Sequence, residues 1–163
     1  MLVVCGATAT GKTALAAMCA KKLESAVISA DSQLVYRGLD IGTAKPSKEE
    51  MMGVPHYMID VAEPTYDYSV ADYKNVALPI VERLLVEGKT PVICGGTGFY
   101  INSLLFDYSY GGVAADEGVR AKYEAIARER GKEYVYSLLK ECDGESAAKL
   151  HPNDLKRVLR SLE

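Results

Sequence analysis

The stretch Gly6-Ala7-Thr8-Ala9-Thr10-Gly11-Lys12-Thr13 separates two glycines by four residues and follows the second with Lys-Thr. The apolar run Leu2–Cys5 precedes it and predicts a strand. Residues 14–23 follow it and predict a helix. A strand, a glycine loop and a helix in this order are the setting in which such spacing forms a phosphate-binding P-loop. The helical spacing predicts one apolar face made of Leu15, Met18, Cys19 and Leu23.

The residue types within this loop suit an anionic ligand. Gly6 and Gly11 allow backbone angles that direct successive N–H groups towards a phosphate chain. The following helix adds the positive end of its dipole. Lys12 offers a mobile positive charge to a terminal phosphate, and the Thr13 hydroxyl can ligate Mg²⁺. We therefore assign residues 6–13 to diphosphate or nucleotide binding, with Mg²⁺ as cofactor; the motif alone does not say whether a phosphoryl group is transferred.

The composition is that of a soluble globular domain with a full core. The chain has 163 residues, of which 48% are hydrophobic and 25% charged. No apolar run reaches membrane-spanning length and no signal peptide is recognisable, so we expect a cytoplasmic monomer without a membrane partner. The four cysteines lack metal-site spacing and are interpreted as reduced thiols. A net charge of −3 means that nucleic acid would need a local basic patch.

Further strands and helices alternate along the first two thirds of the chain. Short apolar runs at residues 26–30, 56–60 and 91–94 predict three more strands, and residues 99–105 predict a short helix. Alternation of this kind predicts an α/β fold, with a parallel sheet covered by helices on both faces. Because ligands bind beyond the carboxyl ends of such strands, residues 6–13, Asp31 and residues 95–98 should converge on one cleft.

Two serine capping signals mark helix starts within this region. Ser69 is followed three residues later by Asp72, and a periodic apolar helix then runs to Gly88. Pro79 lies inside that helix and predicts a kink or a division into two pieces. Ser47, with Glu50 three residues on, predicts a second, short helix through Met52.

The pattern changes after about residue 110, where helices follow one another without strands. We predict an α/β core at residues 1–111, a helical insertion at 112–150 and a helix at 151–163 that returns to the core. Within the insertion, helices are predicted at residues 117–130, 133–141 and 145–150. The last helix has an apolar stripe that we expect to lack part of its packing partner, made of Leu155, Val158, Leu159 and Leu162.

Five sequence blocks together resemble the tRNA dimethylallyltransferase family. They are the P-loop, residues 31–46, Gly53-Val54-Pro55-His56 with Ile59-Asp60, residues 95–100, and the segment that opens with His151-Pro152-Asn153-Asp154. The resemblance implies a P-loop NTPase-like fold. Departures from the family pattern are small: Ala7, Thr10 and Tyr57. Family members continue well beyond this length, so an N-terminal fragment or an early-terminated member is expected.

The resemblance implies transfer of a dimethylallyl group from dimethylallyl diphosphate to the exocyclic amine of an adenosine beside the anticodon. The P-loop would hold the diphosphate leaving group, with Lys12, Thr13 and Mg²⁺ where negative charge develops. Asp31 would accept the amine proton or hold the amine; a helix cap or a carboxylate beside Mg²⁺ is the other interpretation. Contacts with the tRNA anticodon stem-loop would come from Asp31, Ser32, Gln33, Leu34, Thr97, Arg120, Lys156, Arg157, Val158, Leu159 and Arg160.

Two other functions share the same sequence features. A P-loop kinase for a small molecule would use Asp31 as the base for a hydroxyl nucleophile. The insertion contains few arginines for a lid over a transferring phosphoryl group, namely Arg120, Arg128 and Arg130. A non-catalytic nucleotide- or RNA-binding module is the second alternative. Correspondingly, Thr97 could simply stabilise a turn, and residues 156–160 could form an ordinary amphipathic helix.

Overall fold

The computed structural model describes residues 1–106 and 116–163. The chain divides into two compact units, Met1–Tyr110 and Gly111–Glu163. The predicted change from core to insertion, at residues 111 and 112, lies outside the described residues. The predicted three-part division of the chain therefore stays a prediction.

The N-terminal unit contains a four-stranded sheet. Its strands are β1 (Leu2–Cys5), β2 (Val27–Ser29), β3 (His56–Tyr57) and β4 (Val92–Gly95). They lie in the order β1-β4-β2-β3, and every pairing is parallel. The predicted parallel α/β architecture is confirmed, although β3 is two residues long where the sequence predicted five.

Three helices cover the two faces of this sheet: α1 (Lys12–Lys22), α2 (Val70–Val86) and α3 (Gly98–Leu105). On one face, Ile28 and Ile93 share a buried cluster with residues of α2 and α3. On the other face, Val27 and Val92 pack with alanines of α1. Since the strands are parallel, their carboxyl ends form one edge at which loops can meet.

The buried face of α1 differs from the predicted one. Leu15, Met18 and Leu23 are 48%, 51% and 41% exposed. The buried residues are instead Ala16, Ala17 and Ala20. Their methyl groups let the helix lie close to the sheet, which a stripe of leucine and methionine would prevent. Of the four predicted residues, Cys19 is partly buried against the core, and the prediction is wrong for Leu15, Met18 and Leu23, which point outward.

Helix α2 begins at a complete capping box. The Ser69 hydroxyl accepts the Asp72 N–H at 3.2 Å, and the Asp72 carboxylate accepts the Ser69 N–H at 2.9 Å. Partial burial acts to raise the pKa of Asp72, but hydrogen bonds from Ser69 and Tyr66 outweigh it and hold that pKa below its usual value. Pro79 lies within one continuous helix, so the predicted division into two pieces is wrong.

The second capping signal forms its hydrogen bonds without an α-helix. Glu50 N–H donates to the Ser47 hydroxyl at 3.2 Å, and Ser47 N–H donates to the Glu50 carboxylate at 2.8 Å. The residues that follow form turns, and the predicted helix through Met52 is wrong. Met52 and Gly53 have φ angles of 53° and 73°, which end any helix after a single turn.

The C-terminal unit consists of α4 (Glu117–Arg130), α5 (Lys132–Cys142), α6 (Gly144–Ala148) and α7 (Leu155–Leu162). Val158 and Leu159 of α7 are buried in a cluster with Val135 and Leu139 of α5. Leu155 and Leu162 are only partly buried against the same cluster, so the expectation that the stripe lacks part of its packing partner stays a prediction. Within the two described ranges, no helix combines the length and the apolar character needed to cross a membrane.

Candidate functional site

A cleft of about 270 Å³ opens at the carboxyl ends of the strands. It is lined by residues 8–13 of the P-loop, by Asp31 and by the glycines Gly95 and Gly96. The predicted convergence of the three loops after β1, β2 and β4 is thereby confirmed. Further wall residues come from the loops around β3, and they include Leu34, Thr43, Pro46, Glu50, His56 and Ile59.

The P-loop folds around the carbonyl oxygen of Ala7. The Thr10 hydroxyl donates to this oxygen at 2.8 Å, and the Lys12 ammonium also donates to it. Gly11 is left-handed, with φ at 81°, and it directly precedes the first residue of α1. Because α1 begins at Lys12, the unpaired N–H groups of its first turn and its positive dipole end adjoin the cleft.

Asp31 follows β2 and is held by a local turn. One carboxylate oxygen accepts the Gln33 N–H at 2.9 Å, the pattern of an Asx turn. Asp31 is partly exposed and lines the same cleft as Lys12 and Thr13. The structure thus brings together the three residues to which the sequence assigned catalytic roles.

Thr97 connects the loop after β4 to the loop after β2. Its hydroxyl accepts the Ser32 N–H at 2.9 Å, and its own N–H donates to the Ala30 carbonyl at 3.0 Å. Thr97 stands at the N-cap of α3 but makes no side-chain capping bond there. It therefore has a structural role in fixing the backbone beside Asp31, and its predicted contact with tRNA stays a prediction.

Gly95 permits the close approach of β4 to the end of β2. A Cβ atom at this position would lie 2.1 Å from the Ala30 carbonyl oxygen and 2.3 Å from its carbon. Ala30 is also bonded through its N–H to the Cys94 carbonyl at 2.7 Å. A side chain at residue 95 would therefore push apart the two strands that carry Asp31 and Thr97.

Lys45 is a structural residue of the site that the sequence reasoning did not single out. Its side chain is only 9% exposed, and its ammonium donates to the Tyr36 carbonyl, to Asp40 and to Asp60. Burial acts to lower the pKa of Lys45, but the two carboxylates outweigh it and raise the pKa. The ion pair fastens the loop that supplies Thr43 and Pro46 to the cleft. Lys45 and Asp60 belong to different sequence blocks, and no spacing in the sequence indicates that the two side chains form an ion pair.

Cys94 lines the cleft as a neutral thiol. Burial raises the pKa of Cys94, the positive charge of Lys12 opposes this, and the negative charge of Asp31 adds to it. Because the thiolate is the nucleophilic form, this cysteine is poorly suited to covalent chemistry.

The other predicted tRNA-contacting residues lie in the C-terminal unit. Arg120 of α4 and Arg160 of α7 both donate to the Glu163 carboxylate. Arg157 is exposed and lies 3.4 Å from Asp154. Val158 and Leu159 are 0% and 4% exposed, so their side chains contact neighbouring helices and not the surface. The structure thus places the candidate tRNA contacts in two separate groups.

The cleft has the features of a site for a phosphorylated ligand. A lysine, a helix N-terminus and a glycine loop attract a diphosphate, a hydroxyl can reach a metal ion, and a carboxylate can accept a proton. Together with the parallel sheet, they define the P-loop class of α/β proteins.

The family follows from comparison with known proteins. The family model described as IPP transferase matches residues 34–163, and the chain belongs to this family. It is 48% identical over 163 residues to the tRNA dimethylallyltransferase of Bacillus licheniformis, and 45% identical to that of Alkaliphilus oremlandii. The chain spans about half the length of these curated relatives, 52% in both cases.

Solved structures agree with this assignment. The tRNA isopentenylpyrophosphate transferase of Bacillus halodurans is 42% identical, with a TM-score of 0.66 over 99% of this chain and 54% of its own. A eukaryotic dimethylallyltransferase acting on tRNA is 28% identical, with a TM-score of 0.83 over 98% of this chain and 40% of its own. The observed sheet and cleft are thus those of a known fold.

Proposed function

We propose that this chain takes part in transferring a dimethylallyl group from dimethylallyl diphosphate to the exocyclic amine of an adenosine beside the anticodon in tRNA. The names of its relatives support this reaction class. The observation that carries the proposal is that Lys12 and Thr13 of the P-loop line the same cleft as Asp31. A donor with a diphosphate leaving group and an acceptor that loses a proton require this combination.

In this mechanism, residues 6–13 hold the diphosphate of the donor. When the bond between the allylic carbon and oxygen breaks, the electron pair leaves with the diphosphate. The Lys12 ammonium and the N–H groups at the start of α1 stabilise that growing negative charge. The adenine amine forms the new carbon–nitrogen bond, and Asp31 accepts the proton that it loses.

The site suits a Mg²⁺ ion that is held jointly by the protein and by the phosphates of the substrate. Thr13 would hold it together with phosphate oxygens, because Mg²⁺ is usually bound by one or two protein oxygens plus substrate phosphates. In the part of the chain that the structure describes, no three His, Cys, Asp or Glu side chains form a cage for a metal ion. A bound Mg²⁺ would supply further positive charge to the leaving group.

The tRNA would be engaged by the loop after β2, by Thr97 and by basic residues of the C-terminal unit. A target adenosine stacked within the anticodon loop must swing out to reach Asp31. A role for residues 31–34 is supported by the hydrogen bonds that fix this loop, from Ser32 N–H to Thr97 and from Gln33 N–H to Asp31. We place the reaction in the cytoplasm and the protein as a monomer.

The test is calorimetric titration of the chain with a non-hydrolysable dimethylallyl diphosphate analogue and Mg²⁺. Lys12→Ala should abolish binding without changing the circular dichroism spectrum, because the cleft loses its mobile positive charge. Lys22→Ala, at the other end of α1 and outside the cleft wall, is the matched control. Unchanged affinity in Lys12→Ala would refute the diphosphate site. Tight Mg²⁺-ATP binding with phosphoryl transfer to a small acceptor would favour the kinase alternative.

A further inference from the structure

Glu163 joins two arginines that come from different helices of the C-terminal unit. One carboxylate oxygen accepts from Nε of Arg120 on α4 at 2.7 Å. The other accepts from a terminal nitrogen of Arg160, near the end of α7, at 2.5 Å. The two arginines are separated by forty positions in sequence, yet this one carboxylate brings their guanidinium groups together.

The burial of these three side chains is unequal. The Glu163 side chain is 1% exposed, whereas those of Arg120 and Arg160 are 42% and 43% exposed. The carboxylate is therefore covered while both guanidinium groups reach the surface. The hydrogen bond from Arg160 lowers the pKa of Glu163, burial opposes this, and Arg120 adds to the lowering, so the carboxylate stays charged at neutral pH.

The charge of this cluster suits an anion. Two guanidinium groups and one carboxylate leave a net positive charge, and both arginines remain more than 40% exposed while bonded to Glu163. Arginine donors are well matched to phosphate oxygens when they are held in a fixed orientation. An ion pair with a covered carboxylate supplies that orientation at little entropic cost on binding.

We infer that Glu163 is a positioning residue, which holds Arg120 and Arg160 side by side as a two-armed site for one phosphate of an RNA backbone. This inference rests on the proposed function, because the RNA is the tRNA substrate. It assigns a favourable role in RNA binding to Glu163, an acidic residue whose negative charge alone would repel RNA.

The inference is testable because positioning and general electrostatics predict opposite changes in RNA affinity. Glu163→Gln removes one negative charge, so general electrostatics alone predicts tighter RNA binding. Loss of positioning predicts the opposite: affinity about three- to tenfold weaker, and a salt dependence whose slope falls by about one. The probe is a fluorescent anticodon stem-loop RNA, titrated by anisotropy between about 50 and 200 mM salt.

Glu145→Gln is the matched control, because Glu145 lies in the same unit, is 85% exposed and forms an ion pair with Lys149. It should leave affinity unchanged or slightly tighter. Arg120→Lys keeps the charge but loses the planar donor set, and should weaken binding as Glu163→Gln does. Arg128→Lys, on the same helix and 83% exposed, is its control. All variants are compared at a temperature below the midpoint of their thermal unfolding.

Weaker binding in both Glu163→Gln and Arg120→Lys, with both controls unchanged, supports the inference. Equal or tighter binding in Glu163→Gln overturns it and leaves the proposed function standing. If Glu163→Gln does not fold, Arg120→Lys with unchanged affinity overturns it. Absence of RNA binding by the unaltered chain at about 50 mM salt overturns both this inference and the RNA part of the proposed function. The diphosphate titration of Lys12→Ala tests the other part separately.

Discussion

At the scale of single residues, the loops around the cleft are held by contacts between residues far apart in the chain, such as the ion pair of Lys45 with Asp60. Lys12, Thr13 and Asp31 could be placed together because each follows, or lies just beyond, a predicted strand end. The supporting contacts could not be predicted. Lys45 reaches Asp60 across fifteen residues, and Glu163 reaches Arg120 across forty-three. Such pairs depend on tertiary packing, which no local spacing encodes.

The role of Asp31 can be tested with an isosteric change. Asp31→Asn keeps an oxygen that can accept the Gln33 N–H, so the turn should persist. The amide cannot accept a proton, and we expect the chemical step to slow by about 10²- to 10⁴-fold, the usual value of a general base. The measurement is single-turnover transfer to an anticodon stem-loop. It uses a chimera that joins residues 1–163 to the remaining half of the Bacillus licheniformis relative.

Diphosphate affinity, measured on the same variant, separates the two interpretations of Asp31. Affinity close to that of the unaltered chain fits a residue that acts on the amine. A loss of binding as large as the loss of rate would instead place Asp31 beside Mg²⁺, and the assignment as general base would then be wrong.

At the scale of elements, helix ends were easier to predict than helix faces. The Ser69 capping box formed as expected because its hydrogen bonds are local. The face of α1 was mispredicted because the sheet selects Ala16, Ala17 and Ala20 for close packing, and hydrophobicity alone favours Leu15 and Met18. Ser47 shows that a local capping signal is not enough to form a helix. Its capping hydrogen bonds form, but Met52 and Gly53 follow with positive φ angles and the chain turns away.

The junction of β2 and β4 gives a prediction at this scale. Gly95→Ala should destabilise the chain by about 3 kcal/mol or more, at or above the upper end of ordinary overpacking, because its methyl group meets backbone atoms of Ala30. It should also displace the Ser32–Thr97 hydrogen bond. Urea unfolding followed by circular dichroism measures the loss of stability.

Gly98→Ala is the control for this change. Gly98 is the first residue of α3, and a Cβ atom there has no neighbour within 4 Å. Its stability should be unchanged or slightly higher, because alanine is the better helix former. If Gly95→Ala were as stable as Gly98→Ala, the close contact of the strands would not be required for the fold.

At the scale of the whole molecule, the two units differ in what they supply. The cleft wall belongs entirely to the N-terminal unit, and all its residues precede Thr97. The C-terminal unit contains ten lysines and arginines but also ten aspartates and glutamates, and the net charge of the chain is −3. The chain corresponds to about half the length of its curated relatives. We therefore expect diphosphate binding to need little from the other half of such a relative, and RNA binding to need more.

We predict that the 163-residue chain binds the diphosphate analogue as tightly as the chimera does but transfers little or no dimethylallyl group. The cleft residues proposed to hold the leaving group all lie within residues 6–96, whereas the proposed RNA contacts in this chain are residues 31–34, Thr97, Arg120 and residues 156–160. With so few contacts to RNA phosphates, the affinity for RNA should be low at physiological salt, because salt weakens binding of this kind. Productive binding also needs the RNA contacts that the other half of a full-length relative supplies. Side-by-side assays with labelled dimethylallyl diphosphate and the anticodon stem-loop measure the difference. Comparable turnover by the two proteins would mean that residues 1–163 contain all of the RNA contacts that the reaction needs.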